Sequence, residues 1–144
     1  GDMKKGHIKL IFRVKEVTGE NAYTEFFRQE LSRSYLRSQI RRRNSKVDSI
    51  FNIKTKDGYN LRASTSAILT TRILTSQKKA IREIINQELT SISTNNDFAQ
   101  FLDEVTSGKM SSEIYKKARK IYPLKRVEVT KIKLIDKPKV KEAA

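Results

Sequence analysis

The side chains best placed to do chemistry in this sequence are cations. The stretch 31–46 carries Arg33, Arg37, Arg41, Arg42, Arg43 and Lys46 and holds no carboxylate. On a helix Arg33, Arg37 and Arg41 recur every four residues and share a face, while Leu36 and Ile40 form an apolar stripe edged by Tyr35. Like charges at that spacing destabilise a helix by about 0.2–0.5 kcal/mol per pair. Nothing nearby in the sequence neutralises them. A repeated anion, such as a phosphate backbone, is the counterpart that fits, and arginine suits forked contacts to phosphate oxygens. The plain alternative is a solvated basic face.

Two more clusters follow, Lys78, Lys79 and Arg82, then Lys116, Lys117, Arg119 and Lys120. Lys78, Lys79 and Arg82 crowd the start of an expected helix, where cations oppose the macrodipole. Each cluster has hydroxyl or amide neighbours suited to phosphate and sugar: Tyr35 and Ser38, Ser76 and Gln77, Tyr115 and Tyr122. Tyr115 and Tyr122 fall on an apolar helical face and read as core. No aromatic run resembles a platform for stacking single-stranded bases. The expectation is recognition of folded RNA by backbone and shape, and it requires cations from distant segments to meet on one rim.

Other chemistries find little support. The single His7 opens a strand, and there is no Cys, so neither a transition-metal site nor a disulfide framework is indicated. The five Gly are scattered turn residues and make no phosphate loop. Asp103 and Glu104 are adjacent and point apart on a helix, and no base accompanies a Ser or Thr in a motif. No catalytic residue, metal or cofactor is expected.

With 144 residues, 31 Lys+Arg against 16 Asp+Glu and a net charge of +15, the chain suits one domain that needs a polyanionic partner. Nucleic acid is the first candidate and an anionic membrane surface the second. No apolar run is long enough to span a bilayer, and no signal peptide is visible, so the cytoplasm is the default compartment.

The elements that must position the cations follow from periodicity. Residues 7–17 alternate, with Ile8, Leu10, Phe12 and Val14 on one face that should be buried. A turn at Gly19-Glu20-Asn21 leads to a strand over 21–28, and Ser32 should cap an arginine-rich helix. Residues 46–70 form a second hairpin around Lys56-Asp57-Gly58. A three-residue loop with Gly58 left-handed sets Ile53 opposite Leu61 and Phe51 opposite Ala63, an apolar match that a two-residue loop does not give. Thr75 or Ser76 should cap a helix to about Ile92. Asp97 and its Asn neighbours start a short helix ended by Gly108, and Ser111 or Ser112 starts another that buries Ile114, Tyr115, Ala118, Ile121 and Tyr122. In the last strand, 124–135, apolar parity switches between Val129 and Ile132, which a bulge near Thr130 or Lys131 would reconcile. The fold class is α+β: a largely antiparallel, curled sheet or open barrel with about four helices against it. Residues 4–135 form a single RNA-binding domain and 136–144 a disordered basic tail.

Several segments together resemble the archaeal and eukaryotic small-subunit ribosomal proteins of the S-three-a-e (S-one-e) family, most closely its archaeal form. They are Leu31-Ser-Arg-Ser-Tyr-Leu-Arg-Ser38 with Arg41-Arg42, Thr55-Lys-Asp-Gly-Tyr59, and Thr75-Ser-Gln-Lys78 with Ala80-Ile-Arg82. Ser112-Glu-Ile-Tyr-Lys-Lys-Ala118 and Ile121-Tyr-Pro-Leu124 with Arg126-Val-Glu128 complete the set, in order across most of the chain. The resemblance implies a non-catalytic constituent of the small ribosomal subunit, on its platform near the messenger exit. It implies contact with ribosomal RNA and neighbouring small-subunit ribosomal proteins, with messenger RNA or initiation factors as further partners. It also implies that a basic leader and more β structure precede residue 7 in the family, absent from this chain, so that a bare sheet edge is expected. The alternative from another class is a basic interaction module docking an acidic protein.

Overall fold

A computed structural model describes residues 3–138. After a single 3-10 turn, Met3–Lys5, come β1 (Ile8–Thr18), β2 (Asn21–Leu31), α1 (Arg33–Gln39), β3 (Ser45–Lys54) and β4 (Asn60–Leu69). Then come α2 (Thr75–Asn95), α3 (Phe98–Ser107), α4 (Lys109–Arg119) and β5 (Leu124–Asp136). The sheet has the order β1-β2-β5-β4-β3, every neighbouring pair is antiparallel, and it stays open, with β1 and β3 as edges. The α+β expectation holds, as an open curled sheet.

Hairpin chemistry sets the register on one side. Lys56-Asp57-Gly58 closes the β3–β4 hairpin, with Gly58 at φ 91° and Gly58 N–H donating to Thr55 O at 3.0 Å. Ile53 stands opposite Leu61 and Phe51 opposite Ala63, the pairing the apolar match requires. The bulge in β5 falls at Thr130: Val129 pairs with Thr65 and Lys131 with Ser64, and Thr130 is skipped. Val127, Val129, Ile132 and Leu134 thereby reach the same face and join one apolar cluster. That cluster continues through Leu61, Ala63 and Ala67 of β4 to Ile81, Ile85 and Leu89 of α2, Phe101 of α3, and Met110 and Ile114 of α4.

Helix ends follow capping chemistry in part. Asp97 caps α3, with Gln100 Oε1 accepting from Asp97 N at 3.3 Å, and Gly108 ends it at φ 81°. Gly108 also precedes Lys109 directly, so α4 starts two or three residues before Ser111 or Ser112. The cap of α2 is Leu74, not Thr75 or Ser76, because Gln77 Oε1 reaches back to Leu74 N at 2.9 Å. Since α4 ends at Arg119, Ile121 lies beyond its buried face and is 61% exposed.

Two expectations fail for tertiary reasons. Leu10, Phe12 and Val14 are 45–56% exposed, not buried. They do face the helix side, opposite Gln29, Phe26 and Thr24, but β2 pairs with β5 only over Arg28–Glu30, so the distal hairpin projects past α3. The arginine helix is also shorter than its four-residue spacing suggests. It stops at Gln39, Ile40 is extended, and Arg41 leaves the face shared by Arg33 and Arg37. Among the expected tail residues, Asp136 ends β5 and Lys137 pairs with Glu25, while 139–144 lie outside the described residues.

Candidate nucleic-acid interface

In an all-antiparallel sheet, connections alternate between its two ends, and here the alternation sorts charge. β2 and β4 finish, and β1, β3 and β5 begin, at the same end. Helix α1 follows β2 there, α2 starts there after β4, and α4 returns there before β5. The opposite end is marked by Lys56 N–H donating to Asn96 O at 3.2 Å, where α2 meets the β3–β4 loop. All three sequence clusters therefore lie at one end: Arg33 to Lys46, Lys78 to Arg82 at the start of α2, and Lys116 to Lys120 at the end of α4.

Hydrogen bonds tie these segments to each other. Lys125 Nζ donates to Gln39 O at 3.0 Å, and Arg126 Nη1 donates to Tyr35 Oη at 2.6 Å, which docks α1 beside the first half of β5. Tyr35 Oη in turn donates to Glu128 Oε1 at 3.3 Å; burial first, then the Glu128 charge, pushes the Tyr35 phenol above its ordinary range. Ile73 N–H donates to Ser45 Oγ at 3.2 Å, linking the entry to α2 with the start of β3. Arg82 Nε donates to Asp48 O at 3.0 Å, and Lys46 Nζ lies 3.1 Å from Asp48 Oδ2.

Three of the thirteen cations singled out from sequence are thus already engaged: Lys46, Arg82, and Lys117, whose Nζ donates to Glu88 Oε2 at 2.6 Å. Arg33, Arg37, Arg41, Arg42, Arg43, Lys78, Lys79, Lys116, Arg119 and Lys120 enter no ion pair among the described residues. Arg119 stacks over the Tyr115 ring at 5.8 Å, and Tyr115 and Tyr122 pack against the core as expected. Arg43 sits at φ 69°, a left-handed position at a turn that Gly or Asn would hold with less strain. Keeping a side chain there costs about 1–2 kcal/mol.

The sequence reading missed a second basic surface, on the sheet face away from α2, α3 and α4. Lys133 stands directly opposite Arg62 on one side and Arg28 on the other, a row of three cations across β4, β5 and β2. Like charges in register are destabilising. Phe27 lies among them, with Arg13, Arg28 and Lys133 at 5.5, 5.8 and 5.6 Å from its ring centre. Arg28 Nε is buried without a hydrogen bond, as Glu30 at 3.9 Å is too distant to supply one. The available signal was the alternation of Lys131 and Lys133 with Ile132 and Leu134. Which cations become neighbours depends on the β2–β5 register, which crosses most of the chain.

His7, expected to open a strand, directly precedes β1 and stacks on Tyr35 with ring centres 4.1 Å apart and planes 17° apart. Among the described residues there is no group of His, Cys, Asp or Glu that would hold a metal ion. Among the described residues, too, no helix is long and apolar enough to cross a membrane.

Fold and site together define a basic α+β domain with three cation clusters at one end of its sheet. The chain belongs to the Ribosomal S3Ae family, whose model matches residues 1–138. It is 49% identical over 130 residues to the small ribosomal subunit protein eS1 of Archaeoglobus fulgidus, covering 90% of this chain and 62% of that protein. It is 44% identical over 135 residues to eS1 of Desulfurococcus amylolyticus, covering 94% and 63%, and 44% identical over 138 residues to eS1 of Sulfurisphaera tokodaii, covering 96% and 72%. The chain thus spans just under two thirds of the first two relatives. All three relatives carry the name small ribosomal subunit protein eS1.

Proposed function

We propose that this protein is a structural constituent of the small ribosomal subunit in the cytoplasm, binding ribosomal RNA through its phosphate backbone without catalysis. The observation that carries the reading is the convergence of α1, the start of α2 and the end of α4 on one end of an antiparallel sheet. A solvated basic face needs no such convergence. Self-repulsion among cations that enter no ion pair among the described residues opposes folding, and a phosphate backbone opposite them reverses the sign of that term. The family supports placement on the platform near the messenger exit, beside other small-subunit proteins. Leu10, Phe12 and Val14, exposed on the projecting hairpin, offer those neighbours an apolar surface. Messenger RNA and initiation factors are more distant partners, suggested only by resemblance.

A salt titration of binding to small-subunit RNA tests the proposal. With about six phosphates neutralised, log affinity falls against log salt with a slope of about −4 to −5. A flat titration, or retention of acidic proteins but not RNA after nuclease treatment, overturns it in favour of a protein-docking module.

A further inference from the structure

Beside the basic end the sheet opens into a cleft of about 620 Å³. It exists because β2 leaves β5 at the Thr130 bulge: pairing stops at Glu30 opposite Lys131, and the chain turns into α1. Leu31, Val105 and Val127 give the cleft an apolar floor, and the stacked rings of His7 and Tyr35 form part of its wall. Lys5, Lys116, Arg119, Lys125 and Arg126 also line it. Glu128 is the one carboxylate on the lining, and its Oε1 is held by Tyr35 Oη and by Arg126 Nε at 3.4 Å.

The floor also carries a buried polar group. Gln29 is 3% exposed, and Thr106 Oγ1 donates to its Oε1 at 3.2 Å. The same hydroxyl lies 2.8 Å from Leu102 O, so its one proton is shared between two acceptors. An amide oxygen has two lone pairs, and the second on Gln29 Oε1 is left for a donor that enters the cleft.

We infer that this cleft takes an unpaired nucleotide of an RNA strand, its base against the His7–Tyr35 stack with an edge N–H on Gln29, and its flanking phosphates on the lining cations. The inference rests on the RNA-binding reading and adds a single-stranded element to it. The volume lies in the range of about 300–1,000 Å³ typical of sites that enclose a small ligand. A duplex keeps its bases paired and offers such a recess nothing to insert, whereas loops and bulges splay bases onto aromatic rings. An acidic peptide matches the charge but has no use for the ring pair.

The test compares binding of a labelled oligouridine and of a blunt RNA hairpin to the full chain and to two variants. Ser111→Trp fills the cleft without removing a charge, and Tyr35→Ala removes half the stack. Loss of one base–aromatic contact weakens oligouridine binding about tenfold, and Ser111→Trp keeps the hairpin affinity of the parent. Photocrosslinking of 4-thiouridine RNA to the unaltered chain, read by mass spectrometry, places the adduct on a cleft residue, an outcome independent of whether Tyr35→Ala folds. Unchanged oligouridine binding in Ser111→Trp, with crosslinks elsewhere, overturns the cleft assignment while salt-dependent hairpin binding leaves the RNA reading standing. Loss of binding to both RNAs by the parent chain overturns that reading and the cleft with it. Hexaglutamate that blocks the crosslink more strongly than oligouridine reassigns the cleft to an acidic peptide.

Discussion

Neutralising Arg33, Arg37, Arg41 and Arg42 together as Gln separates binding from folding, because none of the four enters an ion pair among the described residues. Each cation that meets a phosphate contributes about 0.7–0.9 to the salt slope, so removing four makes the slope shallower by about 3. Folding responds in the other direction. Arg33 and Arg37 sit four apart on α1, and relieving that repulsion is worth about 0.2–0.5 kcal/mol. Arg41 and Arg42 are exposed in the following turn, where a change of surface residue stays within about 0.5 kcal/mol. The assay pairs filter binding to small-subunit RNA across a salt series with urea unfolding at fixed salt. The expected result is a shallower slope with an unfolding midpoint at or slightly above that of the parent. A slope unchanged within error refutes the placement of phosphate at this end, and a lowered midpoint shows that these arginines are structural.

Further tests address the fold and its titrations. Deleting Thr130 removes the bulge and turns Ile132 and Leu134 from core to solvent; at about 1.5–3 kcal/mol for each large apolar side chain, the loss consumes much of the stability of a domain this size, and circular dichroism should show the cooperative transition lost. Asp97→Asn keeps a good helix cap while removing the negative charge that faces Asp57, whose hydrogen bond and charge raise the Asp97 carboxyl above its ordinary value. A raised carboxyl favours the fold in acid and loses that benefit as pH rises through its folded value, so the variant is more stable than the parent at neutral pH and shows no gain near pH 3. Glu25 behaves oppositely: Lys137 first, then Arg13, lower it from 4.5 to about 2. Its contribution is present above about pH 4.5 and fades as pH falls toward 2, so Glu25→Gln flattens that part of an acid-unfolding profile, and an unchanged profile counts against the pairing.

Local chemistry in the sequence determined a good deal. Lys56-Asp57-Gly58 and the apolar alternation on either side defined the β3–β4 register to the residue, because a one-residue slip would turn Ile53, Leu61 and Ala63 to solvent. The parity change after Val129 located the β5 bulge for the same reason, and Asp97 and Gly108 bounded α3 through cap chemistry that acts within one turn. The three basic clusters were legible as composition. Tertiary structure alone decided what those groups face. The length of β2–β5 pairing, only Arg28–Glu30 against Lys131–Lys133, leaves Leu10, Phe12 and Val14 exposed, opens the cleft below α1, and aligns Arg28, Lys133 and Arg62 in a row. The segments that set this pairing lie far apart in the chain, so no local pattern encodes it. The shared basic end likewise belongs to strand order, since connections in an antiparallel sheet alternate between ends and only the complete topology says which cations the alternation brings together.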